Sequence, residues 1–171
     1  MTHSFQDMSL DFFECNPFYT IGRDWFALTA QKPDGKVNTM TAGWGGFGMM
    51  WGKPCSFVVV RDSRYTMEFL DEADRFSMTF FEGKSGHMML KYIGSVSGRD
   101  EDKIKNARLK VDYYEDVPYL DDGKIIFICR KMFKGPLDPE DFTDIGIDSE
   151  FYKDKDYHKL YIAEVERFMA R

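Results

Sequence analysis

The sequence has little of what most metal and nucleophilic sites are built from. It holds three cysteines, Cys15, Cys55 and Cys129, an odd number at wide spacing with no CxxC pair. A disulfide framework is therefore not expected, and a reducing cytoplasm is the expected compartment. The three histidines, His3, His87 and His158, are scattered and sit in no metal-ligand spacing. Ser85-Gly86-His87 is not a nucleophile elbow, and no base stands beside Cys129 in the sequence to activate it. Positive charge is also scarce, with a net charge of −6 and a pI near 5.1. An acidic chain lacks the basic face that a phosphate backbone demands, so no nucleic-acid partner is expected. No apolar run is long enough to cross a bilayer. The first residues lack the basic region and apolar run of a signal peptide. No repeat, linker or low-complexity tract divides the chain, so residues 1–171 read as one domain, with residues 1–23 as an N-terminal arm.

What is present is apolar and aromatic. Hydrophobic residues make up 43% of the chain and aromatics 16%, including 16 Phe, 9 Tyr and 3 Trp. That suffices for one sizeable core. Large rings serve both cores and flat-ring ligand sites.

Along the chain, the arm carries Phe12, Phe13, Pro17, Phe18 and Tyr19 and is expected to pack on the body. Strands are expected at Trp25–Thr29, Val37–Ala42, Cys55–Val60, Phe76–Phe81, Val111–Glu115, Ile125–Phe133 and Leu160–Phe168, from alternation or β-branched runs. Lys32-Pro33-Asp34-Gly35-Lys36 and Asp121-Asp122-Gly123 are turns. Helices are expected from Tyr65 to about Glu72, from His87 to Ile93 ending at Gly94, and from an Asp100 N-cap through Arg108. Residues 43–54 read as a Gly- and Trp-rich loop. Residues 136–155 read as an acidic excursion with a helical turn near Glu140, and the acids of 138–156, like Asp121 and Asp122, read as solvated loop charge. About seven strands joined by turns and irregular loops argue for a mainly β fold, an antiparallel barrel with short helices.

Gly43-Trp44-Gly45-Gly46-Phe47-Gly48 matches the dinucleotide fingerprint G-x-G-x-x-G. That fingerprint needs a long helix next, to hold a pyrophosphate at its N-terminus. Gly52 and Pro54 interrupt the residues that would form it, which argues against a dinucleotide site. The glycines instead let a backbone wind tightly or approach something flat.

The most informative stretch is Arg61-Asp62-Ser63-Arg64-Tyr65-Thr66. It follows the apolar run Phe57-Val58-Val59-Val60 and precedes the amphipathic Met67-Glu68-Phe69-Leu70. Two guanidiniums and two hydroxyls thus stand where a strand ends and a helix begins. A helix N-terminus offers unpaired N–H groups and a partial positive charge. With Arg61, Ser63, Arg64 and Thr66 it would suit a phosphate dianion. The same residues also read as a helix capped by Ser63 with two solvated arginines. The segment alone does not choose.

Order and spacing then point to a family. Val37-Asn38-Thr39-Met40-Thr41-Ala42-Gly43-Trp44, Gly52-Lys53-Pro54, Val60 to Thr66, Ser97-Gly98-Arg99-Asp100-Glu101-Asp102-Lys103, Cys129-Arg130 and Asp156 to Ile162 together resemble the flavin reductase-like family. This is the FMN-binding split-barrel group that includes flavoredoxin. The resemblance runs from about Trp25 to the last residue. It implies a split β-barrel of Greek-key type, a homodimer, and FMN near the subunit interface. It implies that Arg61, Ser63, Arg64, Tyr65 and Thr66 hold the FMN phosphate. Asn38, Thr39, Met40 and Thr41 would line the isoalloxazine edge, and Ser97, Gly98 and Lys103 would close the site. Trp44 and Trp51 would flank the ring, or serve as packing residues. One departure is Gly43, where the family more often has Ser. The resemblance implies reduction of bound FMN by NADH or NADPH. A flavoredoxin-like carrier that keeps FMN without nicotinamide turnover is the alternative, and a flavin-binding module without a redox partner is a third. The missing acid–base constellation is consistent with all three, because flavin chemistry belongs to the cofactor.

Overall fold

A computed structural model describes residues 4–171. The first three residues of the arm, His3 among them, lie outside the described residues. The strands are β1 (Gln6–Met8), β2 (Phe26–Gln31), β3 (Val37–Ala42), β4 (Gly45–Met50), β5 (Lys53–Arg61), β6 (Arg75–Phe80), β7 (Val111–Tyr114), β8 (Val117–Leu120), β9 (Ile125–Pro136) and β10 (His158–Ala170). The α-helices are α1 (Pro17–Thr20), α2 (Tyr65–Glu72), α3 (Gly83–Ser95), α4 (Lys103–Asn106) and α5 (Gly146–Phe151), with 3-10 turns at Leu10–Phe12 and Pro139–Asp141.

The large sheet is antiparallel and runs β3-β2-β6-β9-β10-β5-β4, with β1 added to β10. Its two end strands, β3 and β4, are consecutive in the chain and joined only by Gly43 and Trp44. Such a link spans at most about 11 Å. The sheet must therefore curl until its ends nearly meet, leaving one seam without ladder bonds. Register shifts in the β9–β10 ladder, between Ile162 and Ala163 and between Val165 and Arg167, bend the two longest strands around this curve.

Alternating residues fill the interior: Phe26, Leu28, Met40, Val58, Val60, Met78, Phe80, Phe127 and Phe168 are buried in one cluster. From the arm, Phe13 plugs this core, its ring 4.8 Å from Phe127 and 5.3 Å from Phe168. Phe12 and Phe18 of the same arm remain exposed. Ala27 points outward from β2 into a second cluster with Leu90 and Ile93 of α3, so α3 lies on the outer wall.

Residues 43–54 are not a loop. They form β4 and a tight turn, Trp51-Gly52, back into β5. Glycine disfavours strands, but pairing with β5 overrides that preference. At Gly45 the fold requires it: φ is +146°, and a Cβ would lie 2.0 Å from the Phe57 carbonyl oxygen. β8 and α5 were not expected, since Pro118 weakens a strand signal and α5 has no apolar period. The short helix after the 95–99 loop is capped by Asp102, not Asp100, through the Lys105 N–H. Gly94 lies inside α3, against Thr41, rather than ending it.

Candidate functional site

The β5–α2 corner is built by burial. Val58 and Val60 are held in the core, as are Met67, Phe69 and Leu70 of α2, so strand and helix axes are both fixed. Between them the chain turns through Asp62 and Ser63, with the Arg64 N–H donating to the Arg61 carbonyl at 3.1 Å. Arg64, not Ser63, is the N-cap of α2, and its side chain makes no capping bond. This removes the simple capped-helix reading of Ser63. First-turn N–H groups of a helix have no intrahelical acceptor. In α2 these belong to Tyr65 and Thr66, beside the Arg64 guanidinium.

The corner opens into a cleft of about 770 Å³, within the range of roughly 300–1,000 Å³ usual for small-molecule sites. One wall is Arg61, Ser63, Arg64, Tyr65 and Thr66, with Met40 beneath. The second wall is the 95–103 segment, with Ser97, Gly98 and Lys103. The third comes from α5 and the residues before β10, with Glu150, Phe151, Lys153, Asp154 and Asp156.

The side chains divide into two groups. Arg64 and Lys103 face one side. The Arg64 Nη1 donates to the Gly94 carbonyl at 3.1 Å, one of its five donors. Lys103 is buried and its Nζ donates to the carbonyls of Ile93 (2.9 Å) and Val96 (3.2 Å) at the end of α3. Burial, reinforced by the Arg64 charge, pulls its ammonium down to about 8. Arg61 and Ser63 face the third wall. Arg61 donates to the carbonyls of Asp156 (3.1 Å) and Phe151 (2.9 Å) and stacks over the Tyr152 ring at 5.3 Å. The Ser63 N–H donates to Asp156 Oδ1 at 3.0 Å and its hydroxyl to Asp156 Oδ2.

Tyr65 lies between cations: the Arg99 guanidinium sits 4.8 Å over its ring and Lys36 Nζ donates to its hydroxyl at 2.8 Å. The 95–100 loop comes so close that a Cβ on Gly98 would lie 2.3 Å from Asn38 Oδ1 and 3.1 Å from the Tyr65 ring. Ser97 Oγ accepts from the Arg99 N–H at 3.2 Å.

The remaining expected residues scatter. Asn38 is buried behind the cleft and donates to Thr66 Oγ1 at 2.9 Å, which orients that hydroxyl. Thr39 is buried with its hydroxyl on Thr29 at 2.9 Å, turned away from the cleft. Thr41 donates to the Leu90 carbonyl beside Arg64 and Trp25, adjoining the cleft. Trp44, half exposed at the seam, tilts against His158 at 5.0 Å and meets Phe151 edge-on at 5.6 Å. Trp51 is in the β4–β5 turn, at the opposite end of nine-residue β5 from Arg61. At about 3.3 Å per residue that is roughly 26 Å away, outside this chain's cleft.

Sequence reasoning missed the third wall. Glu150, Asp154 and Asp156 line the cleft; Glu150 and Asp154 remain exposed, Asp154 pairing with Arg61, while Asp156 is partly buried and accepts from Ser63. It also missed His158, whose Nδ1 is 2.8 Å from the Tyr152 hydroxyl. Burial, then the Arg61 charge, pushes His158 down to about 4, so its ring stays neutral at ordinary pH. The signal for both lies only in strand register: His158 pairs with Arg61, so residues just before 158 must lie beside those just after 61.

The curled antiparallel sheet with a seam and a cleft at the β5–α2 corner is the FMN-binding split-barrel fold. No protein-family model matches the sequence, and no curated protein does. Solved structures do match. An FMN-binding domain of a flavin reductases-like enzyme from Shewanella baltica aligns with 99% of this chain and 78% of its own, at TM-score 0.70 and 18% identity. A flavoredoxin from Methanosarcina acetivorans aligns with 86% of this chain and 68% of its own, at TM-score 0.65 and 23% identity. The styrene monooxygenase flavin reductase from Pseudomonas putida aligns with 86% of this chain and 79% of its own, at TM-score 0.62 and 18% identity.

Proposed function

We propose that this chain binds FMN in the β5–α2 cleft and works as a flavin-dependent redox protein. The observation that carries this reading is the set of donors converging there: Arg64, Lys103, Ser63, Ser97 and the first-turn N–H groups of α2. That set fits a phosphate, which asks for several short N–H and O–H donors and positive charge. The place for a flat ring is also supported. β3 ends the sheet path and pairs only with β2 among the described residues, so one edge of Asn38–Thr41 keeps free backbone donors and acceptors. Such an edge suits the alternating donors and acceptors of a flavin ring. Met40, Tyr65, Val96 and Phe151 add surface along the cleft.

Bound FMN would supply hydride and electron transfer. This chain's residues bind and orient it: Arg64 and Lys103 hold the phosphate, and Tyr65, fixed between Lys36 and Arg99, walls the cleft. The finer reading is a reductase taking hydride from NADH or NADPH. The active unit would be a homodimer. Met49 (68% exposed) on β4, the free end of the sheet, and Trp44 (47%) and Trp51 (60%), which flank that strand in the chain, leave apolar surface that a second copy would cover. All three cysteines are free, as a reducing cytoplasm would leave them.

The test is reconstitution with FMN followed by anaerobic stopped-flow mixing with NADH and with NADPH. Rapid bleaching of the flavin band supports the reductase. Bleaching by a reduced redox protein but by neither nicotinamide moves the assignment to a flavoredoxin-like carrier. Failure to take up FMN refutes the cofactor assignment itself.

A further inference from the structure

We infer that Asp156 acts as an internal stand-in for the ligand's phosphate, and that incoming phosphate must displace it; the inference rests on the FMN reading of the cleft. Two of the five residues expected to hold the phosphate, Arg61 and Ser63, already serve an acidic segment of the chain. Both donors of Ser63 are spent on one carboxylate: the N–H on Asp156 Oδ1 and the hydroxyl on Oδ2. Arg61 is spent on the same segment, through the Asp156 and Phe151 carbonyls and ion pairs to Asp154 (3.6 Å) and Asp156 (3.9 Å). Each N–H or O–H serves one acceptor well. A phosphate seated between the Arg64–Lys103 half and the Arg61–Ser63 half must therefore take Ser63 from Asp156. If Asp156 stayed, two anions would face each other across the cleft.

The segment is built so that this exchange is local. The Asp62 N–H donates to the Tyr157 carbonyl at 3.2 Å, and the β5–β10 ladder begins at His158. The backbone is thus anchored immediately after Asp156. Before it, residues 150–156 are held to the β5–α2 corner by Arg61 and Ser63. Among the described residues Asp156 has one further, weak tie, its own N–H to Asp154 Oδ1 at 3.3 Å. The consequence is selectivity for charge. A phosphate carries enough charge and enough acceptor oxygens to replace a carboxylate on these donors. A neutral flavin without phosphate has no means to do so and does not compete with Asp156.

The experiment compares wild type with Asp156→Asn, an isosteric change that removes the charge, by flavin fluorescence titration with FMN and with riboflavin. Hydrogen exchange of residues 150–157 is followed in the same samples. FMN should bind Asp156→Asn about three- to tenfold tighter than wild type, while riboflavin affinity stays within about twofold. FMN saturation of wild type should raise exchange in 150–157. Unchanged or weaker FMN binding in Asp156→Asn overturns the inference and makes Asp156 a residue that positions Ser63. Equal tightening for both flavins also overturns it. If neither protein takes up either flavin, the FMN reading fails separately, and inorganic phosphate decides: faster exchange at 150–157 in wild type supports displacement, and no change refutes it.

Discussion

Replacing Lys103 by methionine tests the electrostatics of the cleft without relying on any ligand. Burial lowers this ammonium from 10.5 to about 8. A lowered lysine means that folding disfavours the charged form. Below pH 8 both folded and unfolded chains are protonated, and the folded chain bears the full cost. Between about 8 and 10.5 the unfolded chain keeps a proton that the folded one has released, so stability rises with pH. At about 1.4 kcal/mol for each pH unit the full window corresponds to about 3.5 kcal/mol, and partial solvent access reduces it to about 2 kcal/mol. Lys103→Met has a similar shape and no proton to lose. The stability of wild type minus that of Lys103→Met, from denaturant unfolding at pH 7.5, 9 and 10.5, should therefore climb by about 2 kcal/mol across that range. Taking the difference cancels every contribution common to the two proteins. A flat difference would refute the burial argument for Lys103. If phosphate then binds beside this amine, it restores the proton. Calorimetry of FMN binding at pH 8.5, in buffers of different ionisation enthalpy, should show proton uptake, and none in Lys103→Met.

Arg64→Ala should weaken FMN binding by about 1.5–3 kcal/mol, the range for hydrogen bonds to charged groups, and leave riboflavin nearly unchanged; equal losses for both flavins would sink the phosphate assignment. Cys129 is fully buried, with its thiol pushed up to about 12 by desolvation. Cys129→Ala should thus keep flavin reduction within a few-fold and lose on the order of 1 kcal/mol of stability, and loss of turnover with flavin still bound would show the thiol to be reactive. Gly45→Ala should cost at least about 2 kcal/mol, because a Cβ cannot sit 2.0 Å from the Phe57 oxygen; a normal melting temperature would contradict the β4 geometry. Sedimentation at micromolar concentration should give twice the chain mass, and a monomer carrying FMN would refute the dimer.

Much of the barrel was legible along the chain, because burial on a strand or helix face writes a local period. β3 lies at Val37–Ala42 and α2 at Tyr65–Glu72, as expected, and the apolar runs before Arg61 and around Cys129 are buried strands. The Arg61–Thr66 corner could likewise be read as a strand-to-helix junction rich in donors, since those donors are contiguous. β4 could not be read, because a glycine-rich segment becomes a strand only where a partner supplies the ladder. Nor could the third wall of the cleft. Asp154 and Asp156 are 93 and 95 residues from Arg61, and nothing local separates them from solvated acids. Only the antiparallel register of β5 and β10, which sets His158 opposite Arg61, brings their carboxylates onto Arg61 and Ser63. The sequence by itself determined which residues could form a strand, a helix and an anion-binding corner, because those properties depend on neighbours in the chain. The tertiary structure decided which of the corner's donors face the cleft and which are held by the protein's own acid, because hydrogen bonds and Coulomb forces act over a few ångströms of space and are blind to distance along the chain.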